Sequence, residues 1–239
     1  MYGTRAKIGL IVPSINDVIE PEFNALQLKN VSIHSTRVLL TSGTIEGEKE
    51  MLKGIEQAVK LISGAGVNLI VFACTTGSLI NGKGWDRELI QTIEKLSGIP
   101  TTTTSTALLK VLKTFNIKKV ALALPYPEEL NRLEKKFLEA EGIKVVSMKG
   151  LGITNVQKVS LDTIYQLALE VNTPEAEAVF ISCTGLKTLP IIEELERKLN
   201  KLVFSSNTAT FWDVLKILRI NKPIRGYGSL LANKRNFLR

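Results

Sequence analysis

The sequence predicts an α/β protein of two pseudo-symmetric lobes, each a roughly four-stranded parallel sheet flanked by helices. Three observations carry that prediction. Short β-branched runs alternate with amphipathic stretches from residue 6 to residue 220 of the 239. Most of the strand runs are apolar throughout, as strands covered by helices on both faces are. The second half of the chain also repeats the first: "KIGLIVPS" is answered by "KVALALPY", "LIVFACTTG" by "AVFISCTG", and "TTSTALLKVLK" by "SSNTATFWDVLK". Matching segments at similar spacing indicate an internal duplication.

The first half begins with the strand "AKIGLIVP", a helix near "PEFNALQLK" and the strand "VSIHSTRVLL". A helix over "EKEMLKGIEQAVKLISGAG" leads to the strand "NLIVFACT"; a helix over "WDRELIQTIEKLSG" leads to "PTTTTST", the fourth strand. After the helix "ALLKVLKTFN" the second series runs through the strands "KKVALALP", "KVVSMKGLG", "EAVFISCT" and "KLVFSSNT". Its helices are "PEELNRLEKKFLEAEG", "DTIYQLALEVN", "LPIIEELERKL" and a final "ATFWDVLKILRI". No Pro/Gly/Ser linker divides the halves, so the lobes are expected to meet tightly. In open α/β sheets ligands bind at the carboxyl ends of the strands, which places the active site in the cleft between lobes.

Composition sets the outer limits. A hydrophobic fraction of 44% and 23% charged residues are ordinary for a soluble domain, and no run approaches the roughly 18 apolar residues of a membrane span. The N-terminus lacks a signal-peptide pattern, so a cytoplasmic location and no membrane partner are expected. The formal net charge of +8 lies largely on amphipathic helix faces and in the tail "NKRNFLR", and no basic patch interleaved with aromatics points to nucleic acid.

Both cysteines of the chain occupy the same place in their halves: Cys74 in "FACTTG" and Cys183 in "ISCTG", each at the carboxyl end of its third strand. Two lobes facing across a cleft would bring these thiols to opposite sides of one small ligand. A cysteine between a strand and a helix N-terminus meets unpaired amide hydrogens, which favour thiolate. After Cys74, the hydroxyls and close backbone of Thr75, Thr76, Gly77 and Ser78 offer a carboxylate cradle, as do Thr184 and Gly185 after Cys183. The bland alternative, two small buried hydrophobes, does not account for the matched positions. A disulfide is a lesser alternative, and two cysteines with one histidine make no recognisable metal ligand set.

Other strand ends supply uncharged polar groups: Pro13, Ser14 and Asn16 in "VPSIND", Tyr126 in "LPYPEELN", and Asn155 in "GITNVQ". Asn and Tyr can bind carboxylates without the desolvation cost of a buried lysine, and equally serve as turn or packing residues. Asp17 and Glu20 read as helix caps and Glu22 as solvated. His34 reads as a hydrogen-bonded strand histidine, since no nucleophile elbow accompanies it. "GLGITN" and "GAGVNL" lack the third glycine of a dinucleotide fingerprint and no Walker lysine loop occurs, so nucleotide cofactors lose support.

The ordered set Asn16, Cys74, Tyr126, Asn155 and Cys183 resembles the aspartate/glutamate racemase superfamily, within it the maleate cis-trans isomerase and arylmalonate decarboxylase branch. The resemblance runs from "IGLIVPSINDVIEPEF" through "FACTTGSLINGKGWDREL", "ALPYPEELN" and "FISCTGL" to "SSNTATFWDVLKI" and "GYGSLL". It implies two similar lobes, residues 1–117 with 209–239 and residues 118–208; a homodimer or higher homo-oligomer is expected as the general default. Racemases of this group follow the first cysteine with Asn-Thr and the second with Thr-Glu, unlike "CTTG" and "CTGL" here, and arylmalonate decarboxylases lack the first cysteine. The resemblance therefore implies cofactor-independent isomerisation of maleate or a related small unsaturated dicarboxylate. In that mechanism Cys74 adds to the double bond and Cys183 protonates the adjacent carbon. Asn16, Thr75, Thr76, Tyr126 and Asn155, with Pro13, Ser14 and Thr184 beside them, would bind the carboxylates. A racemase or decarboxylase of a small carboxylic acid, and a small-carboxylate binding protein, are the alternatives.

Overall fold

The computed structural model describes residues 2–233; Met1 and residues 234–239, which end the 209–239 segment and hold most of the basic tail, lie outside the described residues. The first series comprises β1 (Ala6–Pro13), α1 (Ile19–Ala25), β2 (Val31–Val38), α2 (Ile45–Leu52), α3 (Ile55–Ser63), β3 (Leu69–Phe72), α4 (Thr75–Leu79), α5 (Trp85–Ser97), β4 (Thr101–Thr103) and α6 (Thr104–Thr114). The second comprises β5 (Lys119–Leu124), α7 (Glu128–Ala140), β6 (Lys144–Gly150), a short 3-10 turn at Val156–Lys158, α8 (Leu161–Val171), β7 (Ala178–Ile181), α9 (Leu189–Leu199), β8 (Leu202–Ser205) and α10 (Ser206–Ile217).

The duplication read in the sequence is a duplication in space. The sheets run β2-β1-β3-β4 and β6-β5-β7-β8, and every pairing is parallel. In each sheet the strand order reverses beside the first strand, so a crevice opens at the carboxyl ends of β1 and β3, and of β5 and β7. The central strands β3 and β7, LIVF and AVFI, are buried along their whole length. Among the described residues no helix is long and apolar enough to cross a membrane.

The lobes are joined largely through α10, whose residues Ser206 to Leu215 are all buried. Small side chains allow this: Thr210 Oγ1 donates to Thr104 Oγ1 of α6 at 3.2 Å. Asp213 accepts from Thr102 Oγ1 at 2.7 Å and from Lys110 Nζ at 2.8 Å. Phe211 packs edge-on to Phe23 of α1, with ring centroids 4.8 Å apart. Helix α10 thus lies against the first lobe, whereas Ser229 N donates at 2.7 Å to Glu196 Oε2 on α9 of the second.

Four local features differ from expectation. The helix expected over residues 48–66 is two helices, because the chain turns at Lys53 and Gly54, the latter a poor helix former. The strand expected over residues 100–106 stops at Thr103, whose hydroxyl accepts from Thr106 N and starts α6. Glu22, expected in solvent, is buried; it accepts from Leu189 N at 2.9 Å, from Thr188 N at 2.5 Å and from Asn207 Nδ2 at 2.7 Å. A carboxylate of α1 therefore caps α9 of the other lobe. Glu20 does not cap α1 but pairs with Arg37, and the Asn16 amide oxygen takes the cap instead, accepting from Val18 N at 3.0 Å and Ile19 N at 3.1 Å. His34 is hydrogen-bonded as expected, to Ser32 Oγ at 2.9 Å.

Candidate active site

Cys74 follows β3 in extended conformation and forms the N-cap of α4, its sulfur accepting from Gly77 N at 3.3 Å. Cys183 follows β7, and its sulfur accepts from Gly185 N at 3.3 Å. Both are buried free thiols, and both line one cavity between the lobes. Their backbones differ: Cys183 has φ of +98°, where a side chain is strained by on the order of 1–3 kcal/mol.

Hydrogen bonds tie the two cysteine segments together. Thr75 Oγ1 and Ser206 Oγ lie 2.8 Å apart, and Ser206 Oγ accepts from Cys183 N at 3.0 Å. Thr184 Oγ1 donates to Ala73 O at 3.1 Å and accepts from Asn16 Nδ2 at 2.9 Å. The residue after each cysteine is thus tethered to the opposite lobe.

Of the residues singled out in the sequence, Pro13, Asn16, Cys74, Thr75, Thr76, Tyr126, Cys183 and Thr184 line the cavity, as does Gly185. Ser14 and Asn155 are not part of its wall. The Ser14 hydroxyl accepts from Leu40 N at 3.0 Å, joining β1 to the loop after β2, and Asn155 is exposed. Ser78 and Gly77 do not face a ligand either. The Ser78 hydroxyl donates to the carbonyls of Cys74 and Thr75, at 2.7 Å and 3.0 Å, and the Gly77 amide is taken by the Cys74 sulfur.

Sequence reasoning missed Glu48. This residue of α2 is buried in the cavity wall, with Oε2 3.5 Å from Cys74 Sγ and Oε1 accepting from Thr76 Oγ1 at 2.6 Å. The approach of α2 depends on Gly47, where a Cβ would lie 2.2 Å from Ser42 O. Ile15, Leu40, Ile153 and Val156 supply the aliphatic part of the wall, and none of the described lining residues is a lysine, arginine or histidine.

This setting reverses the expected charge state of the thiols. Burial, and then the nearby Glu48 carboxylate, push Cys74 well above the ordinary thiol range, outweighing the Gly77 amide. Burial likewise raises Cys183 to about 11, against the Tyr126 hydroxyl and the Gly185 amide, which lower it. Burial also raises Glu48, opposed by its bonds from Thr76 and Cys74. A protonated thiol therefore sits on each side at neutral pH, and the helix N-terminus alone does not make Cys74 a thiolate.

Two duplicated α/β lobes, each giving a cysteine to the lining of one shared cavity, define the class of protein. The chain belongs to the arylmalonate decarboxylase family, whose model matches residues 8–231. It is 29% identical to the arylmalonate decarboxylase of Bordetella bronchiseptica, over 93% of this chain and 95% of that one. It is equally 29% identical to the maleate isomerase of Nocardia farcinica, over 94% and 95%. Among solved structures, a cysteine-to-serine variant of the Nocardia farcinica maleate cis-trans isomerase with a covalently bound succinylcysteine intermediate superposes with a TM-score of 0.92. That match is at 25% identity and covers 96% of this chain and 99% of that one. The resemblance read from the sequence and the two-lobed fold are both met by these relatives.

Proposed function

We infer that the protein is a cofactor-independent isomerase that converts maleate, or a closely related small unsaturated dicarboxylate, into its trans isomer. The observation that carries this reading is the opening of two buried thiols, one from each lobe, on a single small cavity. A cavity so built can act on both carbons of one double bond.

In this reading Cys74 sulfur, once its proton has left, adds to one alkene carbon, and the π pair moves toward the carboxylate on the neighbouring carbon. Cys183, a neutral thiol with its pKa near 11, gives its proton to that carbon. The resulting succinyl thioether has a single central bond and rotates. Cys183 thiolate then removes a proton and Cys74 departs, leaving the trans alkene. Thr75, Tyr126 and Asn16, which line the cavity, hold the carboxylates by neutral dipoles while the Thr76 hydroxyl is held by Glu48, and the aliphatic wall keeps water from the intermediate. The Nocardia farcinica relative with its bound succinylcysteine supports this sequence of steps.

The test is to incubate the pure protein with maleate, without added cofactor, and to follow fumarate by proton NMR. Appearance of fumarate is expected; its absence overturns the substrate. The aliphatic wall of Ile15, Leu40, Ile153 and Val156 favours one second reading, decarboxylation of an arylmalonate, whose ring would lie against it. Carbon dioxide release from phenylmalonate, with no fumarate from maleate, selects that reading.

A further inference from the structure

The isomerase reading needs a Cys74 thiolate, yet the structure buries this sulfur without a cationic neighbour. What it provides is a carboxylate. Glu48 Oε2 lies 3.5 Å from Cys74 Sγ, in line to receive the thiol proton, while Thr76 Oγ1 donates to the other carboxylate oxygen at 2.6 Å and fixes its orientation. The carboxylate reaches this place through a built feature: α2 closes on Ser42 at Gly47, the only residue type with room there, and turns Glu48 inward with Met51. A buried charged side chain on a short helix otherwise bearing exposed Glu46, Lys49 and Glu50 has no packing role that a leucine would not fill better.

We propose that Glu48 is the general base that takes the proton from Cys74 as its sulfur adds to the substrate, and returns it when the sulfur leaves. This assignment rests on the isomerase reading for its chemistry and on the Glu48–Cys74 geometry for its residues. In the forward half-reaction the Cys74 S–H bond breaks and its proton goes to Glu48. The sulfur pair forms the S–C bond, the π pair moves to the neighbouring carbon, and the Cys183 proton is delivered there. One negative charge leaves Glu48 and one appears on Cys183, so net charge in the closed cavity is unchanged and no proton is drawn from solvent. Neutral Glu48 then no longer repels a carboxylate held beside Cys74.

The thiol and the carboxyl share one proton, which gives the pair a signature independent of turnover. The ionisable groups that face it are Cys183 and, behind that, Tyr126 and Glu134 of the second lobe. The experiment is alkylation of the full-length protein by iodoacetamide from pH 5 to 10, with Cys74 and Cys183 followed separately by peptide mass spectrometry. For Cys74 in the wild type, the rate is expected to rise, level off while the pair holds one proton, and rise again at high pH. In Glu48→Gln, which keeps the shape, the plateau disappears and the rate climbs about tenfold per pH unit up to the thiol's own titration; Cys183 keeps its profile. Fumarate formation falls by about 100-fold or more in that variant.

A wild-type Cys74 profile that rises about tenfold per unit with no plateau overturns the assignment, and this arm needs no variant to fold. So does an unchanged plateau in Glu48→Gln. A plateau that depends on Glu48, together with no fumarate from maleate, leaves Glu48 as the base and sinks the substrate reading alone.

Discussion

Thr184 Oγ1 donates to the Ala73 carbonyl at 3.1 Å, joining the residue after one cysteine to the residue before the other. The same hydroxyl accepts from Asn16 Nδ2 at 2.9 Å. One side chain thus ties both thiol-bearing strand ends and the end of β1, and it helps to place the two sulfurs on which the proposed chemistry depends. Thr184→Val, equal in volume, leaves a buried carbonyl and a buried amide unpartnered at a cost of about 1–3 kcal/mol. The expected result in urea denaturation is a lower midpoint with unchanged slope. In steady-state kinetics kcat falls more than KM rises, because the tether positions the thiols rather than adding to substrate affinity. A rise in KM alone would show that Thr184 serves binding only.

The backbone of Cys183 makes a second prediction. At φ of +98° any side chain is strained, whereas Cys74 at φ of −140° is not. Cys183→Gly should be more stable than Cys183→Ala by about 1 kcal/mol, and for Cys74 the order should reverse. Denaturation midpoints of the four variants measure this. If alanine is the better replacement at both positions, Cys183 is not held in strain.

Stability should also depend on pH through Glu134. This α7 residue is fully buried; burial lifts its carboxyl from 4.5 to about 8, against a hydrogen bond from Ser182 Oγ at 2.8 Å. Its Oε1 has no partner among the described residues, as suits a protonated carboxyl. Since the folded pKa lies above the unfolded one, the folded state holds the extra proton between those values. Stability is complete below about 4.5 and is lost as pH rises toward about 8, by at most about 1.4 kcal/mol per unit. Glu134→Gln removes this contribution, so its stability falls less steeply than that of the wild type across the window. Parallel slopes for the two proteins would mean that Glu134 is ionised when folded.

The carboxylate that caps α9 in trans gives a fourth. Glu22→Ala strips acceptors from Thr188 N and Leu189 N, both buried, and should lower stability by about 1–3 kcal/mol. The loosening should appear in hydrogen exchange as faster exchange of those two amides. Exchange unchanged at both would refute the cap.

The alternation of elements, the duplication and the location of the thiols were legible because each depends on local pattern: buried runs of β-branched residues, and repeated strand ends. Glu48 was not, because "EKEML" reads as a solvated helix face. The signal lay in Gly47 and Met51, which place a small and an apolar residue one turn apart on the face that Glu48 shares. Glu22 gave a similar sign between Ile19 and Phe23, both buried with it. The charge state of Cys74 escapes the sequence for a different reason. A helix N-terminus acts over one turn and can be read locally, but the burial that outweighs it comes from two lobes meeting, which no short stretch encodes. Ser14 and Asn155 were expected from their strand ends, and the direction of a side chain beyond a strand is set by the loop that follows.

In the proposed isomerisation Cys74 forms a bond to carbon while Cys183 handles the proton. Its most direct measurement is to incubate the Cys183→Ser variant with maleate, quench, and map the protein by mass spectrometry. The expected result is one succinyl group on Cys74, because the introduced serine hydroxyl can give its proton to the carbanion but, once reprotonated, cannot take one back, and no succinyl group in the double variant that also lacks Cys74. An unmodified Cys74 in that variant, from a wild type that does make fumarate, would contradict it.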